Sequence, residues 1–300
     1  MASLPNSDLI GAHEEARDSA RRATVSHATN RTLVMVLLVL GSAIFLIPFY
    51  VMLAIALKTE KELGMTEIWI WPQHPTLENF RYVLTNPNVS FALFLKNTAF
   101  VATMATLGVL FSSSVTAYAF ARLKFPGRDR LFLLLLSTMM LPGIVTMIPT
   151  YVMFAKIGWV NSFKPMTVPA FFGGGAFNIF LLRQFIMGIP KELDEAAVLD
   201  GASHWTIYSR IILPLSSAAL ATVGVLAFIY NWKDFMGPLL YLNDPDLQTN
   251  ELGLSTYNAL QASKWNLVMA GSVLVMIPIV VIFFVGQRYF VKGLAMTGGK

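Results

Sequence analysis

The sequence predicts an all-α integral membrane protein with six transmembrane helices. Hydrophobic residues make up 55% of its 300 positions and charged residues only 13%, whereas about a quarter of the residues in a soluble domain are charged. The apolar residues are gathered into six runs, each close to the roughly 20 residues with which a helix crosses a bilayer. Composition and run length together exclude an ordinary soluble domain.

The elements can be justified in chain order. Residues 1–31 form a polar tail of mixed charge, which we expect to be a solvated helix or disordered. The first apolar run is longer than a signal-peptide core and no cleavage pattern follows it, so we expect it to stay in the membrane. Residues 32–300 form the transmembrane domain, with spans predicted at about 32–57, 91–120, 131–154, 166–186, 211–232 and 267–290.

Prolines and small residues mark special positions within these spans. Pro142 and Pro149 interrupt the third span and favour kinks, because each removes a backbone hydrogen bond. Kinked helices can line a pathway, but proline is also common in membrane helices generally. The triplets Gly173–Gly175 and Ser112–Ser114 predict close packing of the fourth and second spans, since small side chains let helices approach in lipid.

The distribution of Lys and Arg predicts the orientation, because basic residues near the ends of spans are retained in the cytoplasm. The tail, the Arg122–Arg130 loop, the Gly188–Arg210 loop with Arg183 just before it, and the carboxyl terminus hold 14 of the 22 basic residues. These segments, and therefore both termini, are predicted to be cytoplasmic. The two long segments Lys58–Ser90 and Lys233–Asn266 then face outward.

The predicted spans carry ionisable residues only near their ends. Ion-coupled carriers hold Asp, Glu or His at mid-depth, so a secondary transporter lacks its expected machinery. A phosphate-binding GxxxxGK[ST] loop is also absent from the sequence, and any ATPase must be a separate polypeptide. Asn178 is the most polar residue well inside the fourth span, where it either lines a pathway or makes an interhelical hydrogen bond.

Other function classes find little support. Cysteine is absent and the four histidines are too scattered to share a site, so we predict no catalytic residue, no metal site and no bound cofactor. The basic residues are not interleaved with aromatic ones on a polar stretch, which argues against a nucleic-acid partner. A purely structural membrane subunit remains an alternative that only association with an ATPase can exclude.

The cytoplasmic segment of residues 188–210, here named the coupling loop, is patterned as two short helices. Pro190 suits a helix start, and the acidic residues that follow it are stabilised by the positive end of the helix dipole. Gly201 should end the first helix, and Ser203 should cap a second one that runs into a rigid fifth span. Small side chains (Ala196, Ala197, Ala202) and apolar ones (Leu193, Val198, Leu199) would let this loop lie in a groove of a partner.

Three parts of this region carry a family resemblance. Glu195-Ala196-Ala197, then Gly201, then Ile212-Leu213-Pro214 closely resemble the EAA loop of binding-protein-dependent ABC importer permeases. The ending from Gln287 to Lys300 is similar to that of the carbohydrate (MalG-like) branch. The resemblance implies a type I, MetI-like permease fold whose coupling loop docks into an ATPase, with these contact residues: Glu195, Ala196, Ala197, Gly201, Ala202, Leu213 and Pro214.

The same resemblance implies a multi-subunit importer in the bacterial cytoplasmic (inner) membrane. Its expected partners are a second permease subunit forming a heterodimer, two ABC ATPase subunits that hold ATP and Mg, an extracytoplasmic solute-binding protein, and membrane lipid. The segment Lys233–Asn266 would reach into the binding protein. The implied function is one half of the translocation pathway of an ATP-driven carbohydrate importer, with a polyol phosphate as the alternative solute.

Overall fold

The computed structural model describes residues 6–86, 91–260 and 264–297, including all side chains there except those of residues 6–30, 260 and 288–297. Within these ranges every regular element is a helix, which confirms the predicted all-α class. The start of the tail, residues 1–5, and the final Gly298-Gly299-Lys300 lie outside the described residues.

The helices follow one another without intervening sheet in the described ranges. They are α1 (Asn6–Ala56), α2 (Glu60–Leu63), α3 (Glu78–Thr85), α4 (Phe91–Arg122), α5 (Arg128–Ser137), α6 (Gly143–Lys156), α7 (Lys164–Thr167), α8 (Ala170–Gly173), α9 (Ala176–Met187), α10 (Glu192–Leu199), α11 (His204–Ile207), α12 (Leu213–Leu215), α13 (Ser217–Trp232), α14 (Met236–Tyr241), α15 (Asn250–Leu260) and α16 (Trp265–Thr297).

Four stretches of the described chain are long and apolar enough to cross a membrane. They are Arg31–Ala56, Phe91–Arg122, Lys164–Met187 and Trp265–Gln287, close to the first, second, fourth and sixth predicted spans. The third and fifth predicted spans are each a bent helix pair, so the described residues supply six spans if each pair crosses once. The tail does not form a separate element, because the backbone of α1 is helical from Asn6 onward.

Both bent pairs depart from a single straight helix, as the prolines of the third span predicted and as was not expected for the fifth. In the third span, helices Arg128–Met140 and Gly143–Lys156 meet at 98°, at Pro142, whose missing N–H removes a helical hydrogen bond. In the fifth span, helices 204–215 and 217–232 meet at 77°. A π-helical turn, Tyr208–Ile212, precedes Pro214 there, and such turns commonly accompany a break in the ladder. The fifth span is therefore bent where the second helix of the cytoplasmic segment meets α13, and its expected rigidity stays a prediction.

Helix α4 is the centre of the bundle and packs most extensively against α13 and α9. One buried apolar cluster joins the Arg122 end of α4 to α9 and to the coupling loop. A second joins the Phe91 end of α4 to α1, α15 and α16. By contrast, the apolar side chains along residues 33–47 of α1 are exposed, as expected of a helix that faces lipid or another subunit.

The predicted close packing of the two small-residue triplets is confirmed. Gly174 has a φ of +47° and its backbone lies so near Ser113 that an added Cβ would fall 2.7 Å from the Ser113 nitrogen. Beside it, the Ser112 hydroxyl donates to the carbonyl of Ala170 at 2.7 Å. This contact breaks the fourth span between α8 and α9 while holding it against α4.

At the Phe91 end of the bundle, a buried amide network ends the first span. The Asn79 amide donates to the carbonyls of Ala56 and Lys58, both at 2.8 Å, which otherwise lack partners at the end of a helix. Asn266 donates in turn to the Asn79 side-chain oxygen at 2.9 Å. The network joins α1, α3 and α16 into one cap.

Candidate functional site

The first helix of the coupling loop ends in a left-handed glycine turn, as the sequence predicts. Gly201 has a φ of +81°. Its N–H donates to the carbonyl of Val198 at 3.0 Å, and the N–H of Ala202 donates to that of Ala197 at 2.9 Å. These two bonds form a Schellman motif, which satisfies the last carbonyls of α10 and needs a residue that tolerates positive φ.

The predicted second helix begins at its serine cap. The Ser203 hydroxyl accepts a hydrogen bond from the N–H of Thr206 at 3.2 Å, which satisfies a free donor of α11. The chain then passes through the π-helical turn Tyr208–Ile212 and α12 before it bends into α13. The coupling loop is thus a helix, a sharp turn and the start of a second helical segment. This second segment, residues 204–215, meets α13 at an angle of 77°.

The outer face of α10 is open and partly apolar. Glu195 and Ala196 are exposed, and Leu199 leaves 89% of its surface uncovered. Leu193 and Val198 are exposed as well. Apolar side chains grouped on a short polar helix are typical of a surface that another protein covers.

The alanines of the motif do not all share that face. Ala197 is buried among the side chains of α4 and α9, and Ala202 packs against the same cluster, so both serve the internal packing of the chain. Leu213 also packs inward, whereas Pro214 is exposed. The expectation of one small-residue surface is therefore wrong for Ala197 and Ala202. Ala197 lies on the inward face of α10, and Ala202 packs against the same cluster after the turn at Gly201.

An ion pair holds α10 against the second span. The Arg122 Nε lies 3.1 Å from Asp194 Oδ2, and the two side chains are only 3% and 19% exposed. Arg122 also donates from Nη2 to the carbonyl of Ile189 at 2.7 Å. Burial raises the pKa of Asp194 above its ordinary value, although the nearby Arg122 charge opposes that rise. Arg122 thus fixes both the start and the first turn of α10.

A second bond ties the coupling loop to the same span. The Tyr208 hydroxyl lies 2.8 Å from the Ser114 hydroxyl in a buried contact, and the rings of Tyr208 and Tyr118 lie 5.4 Å apart. Sequence reasoning missed Arg122, Asp194 and Tyr208 as functional residues. The available signal was an arginine at the end of one span and an aspartate beside the Glu-Ala-Ala motif, but their spacing of 72 positions hides the contact.

Asn178 lies where the fourth span is broken. Its amide donates to the carbonyl of Gly174 at 2.9 Å, so the predicted interhelical bond is instead a bond within its own span. Asn178 lines a cavity of about 730 Å³ between the α8–α9 break and α13, here named the membrane cavity.

Two residues that the sequence did not single out share this cavity. Tyr230 is 77% exposed and Asn231 follows it on α13, both lining the membrane cavity. The Asn231 amide donates to the carbonyl of Ala227 at 2.7 Å. In the part of the chain that the structure describes, the carboxamide oxygens of Asn178 and Asn231 accept no hydrogen bond. Both are free to accept one from a hydroxylated solute.

The segment Lys233–Asn266 is folded onto the bundle through α14 and α15, with residues 261–263 undescribed. Two of its predicted charges cap local structure: Asp234 accepts from the N–H of Gly237 at 3.1 Å, and Asp244 accepts from that of Asp246 at 2.9 Å. Burial raises the pKa of Asp234. Asp244 and Asp246 are exposed and are available to a partner.

Comparison with known proteins places this geometry in context. Residues 108–296 match the model of the family described as binding-protein-dependent transport system inner membrane component. The chain is 36% identical over 264 residues to the sn-glycerol-3-phosphate transport system permease protein UgpE of Salmonella typhi, covering 86% of this chain and 93% of that one. It is 35% identical over 229 residues to the arabinooligosaccharides transport system permease protein AraQ of Halalkalibacterium halodurans, covering 76% and 81%.

A solved structure shares the fold. A chain of a bacterial ABC transporter involved in the import of the acidic polysaccharide alginate superposes with a TM-score of 0.74 at 22% identity, covering 97% of this chain and 100% of that one. A chain of a bacterial alginate ABC transporter in complex with an alginate pentasaccharide-bound periplasmic protein gives a TM-score of 0.60 at 17% identity, covering 86% and 94%. The predicted type I, MetI-like architecture is confirmed.

Proposed function

This chain belongs to the family of binding-protein-dependent transport system inner membrane components, and we propose that it is a permease subunit of an ATP-driven carbohydrate importer. It forms one half of the translocation pathway and hydrolyses no ATP itself. The observation that carries the proposal is the helix α10, whose outer face is exposed and apolar while Arg122 anchors its inner face. Such a helix can bind a partner on its outer face while its inner face stays attached to the bundle.

The partner that engages α10 is a separate ABC ATPase. Glu195 and Ala196 lie exposed beside Leu199, so the carboxylate makes a charged contact at the rim and the leucine fills a groove. Gly201 sets the angle at which α10 is presented. ATP and Mg are held by the ATPase, of which two copies complete the assembly together with a second permease subunit.

Force from the ATPase reaches the bundle by two routes. One is the bent fifth span, and the other is the pair of contacts from Arg122 and Ser114 to the coupling loop. Both contacts lie on α4, which also packs against α9 and α13 on either side of the membrane cavity. Movement of α10 therefore changes the walls of this cavity directly.

The orientation follows from the position of the coupling loop. An ATPase that uses cytoplasmic ATP requires the coupling loop to be cytoplasmic, as the positive-inside rule also indicates. Both termini then face the cytoplasm, and the segment Lys233–Asn266 faces the extracytoplasmic solute-binding protein. Exposed Asp244 and Asp246 offer that partner a charged edge.

The solute is a neutral carbohydrate. The membrane cavity is lined by Asn178, Asn231, Tyr230 and apolar side chains, with no cation among its described lining residues. Amide oxygens accept from sugar hydroxyls and an exposed aromatic ring stacks on a sugar face, whereas Arg and Lys side chains are the strongest phosphate ligands. The N-terminus of α9, which also lines the cavity, is the one feature of its described lining that suits a phosphate. A polyol phosphate is the competing solute, because UgpE belongs to a glycerol phosphate system.

The deciding experiment is solute-stimulated ATPase activity of the reconstituted assembly with its binding protein, across a panel of oligosaccharides and polyol phosphates. We expect stimulation by at least one neutral saccharide, and we expect Asn178→Ala with Asn231→Ala to reduce uptake of that saccharide. Stimulation by glycerol phosphate alone would replace the carbohydrate assignment. An assembly without any associated ATPase would refute the importer function itself.

A further inference from the structure

The α4–α5 connection forms a concave basic surface beside the coupling loop. Lys124, Arg128 and Arg130 line it from the connection, and Lys191 lines it from the residue before α10. The volume of this open concavity is about 670 Å³. This surface, here named the basic pocket, is separate from the membrane cavity and from the exposed face of α10.

Its charge is strongly positive. The single carboxylate that lines it, Asp129, lies 2.9 Å from the Nε of Arg128 and neutralises that residue alone. Lys124, Arg130 and Lys191 are exposed, and over the described ranges none of the three takes part in an ion pair. Three unpaired cations around one concavity focus a positive potential into it.

An apolar surface begins where the basic pocket ends. Arg128 is the first residue of α5, and Leu131, Leu133 and Leu134 of the same helix are exposed. Helix α5 belongs to a bent pair that is apolar enough to cross a membrane. The cations therefore stand at the level at which the chain enters the hydrocarbon region.

From this juxtaposition we propose that the basic pocket binds the headgroup of an anionic phospholipid whose acyl chains lie along α5. The phosphate accepts hydrogen bonds from Arg130 and from the two lysines, for which a guanidinium and ammonium groups are well suited. Anionic lipids are attracted by such clusters next to membrane helices. Basic residues that only fix the orientation of the chain in the membrane would need positive charge but no concave surface of this size. The inference goes beyond the proposed transport function and does not depend on it.

The test measures lipid binding to the full-length chain in detergent by native mass spectrometry. Phosphatidylglycerol is titrated against phosphatidylcholine with identical acyl chains. In the variant Lys124→Gln with Arg130→Gln, we expect phosphatidylglycerol to bind on the order of 20-fold more weakly, since each basic residue near a membrane surface contributes about fivefold. Phosphatidylcholine binding should not change.

The matched control is Lys156→Gln with Lys164→Gln, which removes two exposed cations from the connection between α6 and α8. It should leave phosphatidylglycerol binding unchanged. Equal weakening in both variants, or none in the first, would overturn the proposal. So would full displacement of the lipid by free glycerol phosphate, which would make the ligand a soluble anion. Loss of ATPase-subunit binding with intact lipid binding would assign the surface to a protein instead. Because the assay needs neither ATP nor uptake, it stands even if the transport function fails.

Discussion

At the scale of single residues, the glycines of this chain do two different jobs. Gly201 needs its positive φ to close the Schellman turn, yet an added Cβ would meet open space. Gly174 needs both its positive φ and its missing side chain, because the backbone of Ser113 lies against it. The first glycine shapes an exposed turn, and the second lets one span pack against another.

Replacing Gly174 should therefore destabilise the bundle. Gly174→Ala combines left-handed strain with a clash against the Ser113 backbone, and we expect a loss of about 2–4 kcal/mol. Thermal unfolding in detergent measures it. The control is Gly173→Ala, where a Cβ has nothing within 4 Å and φ is not positive. Equal stability of the two variants would contradict the packing described here.

Tyr257, which is buried in the apolar cluster at the Phe91 end of α4, should make the stability of the chain fall at alkaline pH. Burial raises the pKa of Tyr257 from 10.0 to about 12, and its hydroxyl has no partner in the described part of the chain. Between these two pH values the unfolded tyrosine loses its proton while the folded one keeps it, so stability declines as pH rises through this window.

The variant Tyr257→Phe should lack that decline. At pH 8 we expect its stability to be unchanged or up to about 1 kcal/mol higher, because an unpaired buried hydroxyl is removed. At pH 11 its thermal midpoint should have fallen less than that of the natural chain. Parallel declines in both proteins would show that Tyr257 does not keep its proton in this window.

At the scale of elements, the coupling loop is a helix presented at a fixed angle. Gly201→Leu should cost the chain itself only the left-handed strain of about 1–2 kcal/mol, since the site is open. It should nevertheless tilt α10 and with it the surface that we propose the ATPase engages. We expect assembled transporter with ATP hydrolysis that no longer drives uptake.

Gly158→Leu is the matched control. Gly158 has a φ of +71° and equally open surroundings, but it follows α6 at the end of the bundle that we assign to the outside. Uptake and ATPase rates of the two reconstituted variants give the comparison. Normal uptake with Gly201→Leu would show that the turn does not set the presentation of α10.

The bond between the coupling loop and α4 can be tested in the same assembly. Tyr208→Phe removes the 2.8 Å contact with Ser114, worth about 1 kcal/mol, and should lower the number of solutes imported per ATP. Tyr118→Phe alters a ring of the same cluster whose hydroxyl makes no hydrogen bond within the described residues. If both variants retain the natural ratio, force does not pass through this bond.

The sequence alone predicted those features of the fold that depend on neighbouring residues in the chain. Apolar runs located the spans, Pro142 marked the sharpest break, and Gly201 with Ser203 marked the turn and the cap. The 77° bend of the fifth span was not foreseen, because Pro214 fits the first turn of a helix as well as it fits a break. The contact of Arg122 with Asp194 and the cavity that Asn178 shares with Asn231 bring distant spans together, and the sequence alone does not indicate which distant residues meet.

At the scale of the whole molecule, the chain is a helical bundle with the coupling loop at one end and the membrane cavity between the α8–α9 break and α13. The coupling loop, α4 and the walls of the membrane cavity form one continuous set of contacts. Large parts of the surface, including the lipid-level face of α1, carry exposed apolar side chains that lipid or a second permease subunit would cover. This exposed surface is consistent with the proposed assembly.

The most direct test is site-specific cross-linking of this chain to its ATPase in membranes. The sequence has no cysteine, so Leu199→Cys provides a single thiol on the most exposed large apolar residue of α10, and Leu77→Cys provides one on the segment that we assign to the outside. We predict a cross-link to the ATPase from position 199 and none from position 77. Absence of the cross-link at position 199, or its appearance from both positions, would contradict the docking of the coupling loop on which the account depends.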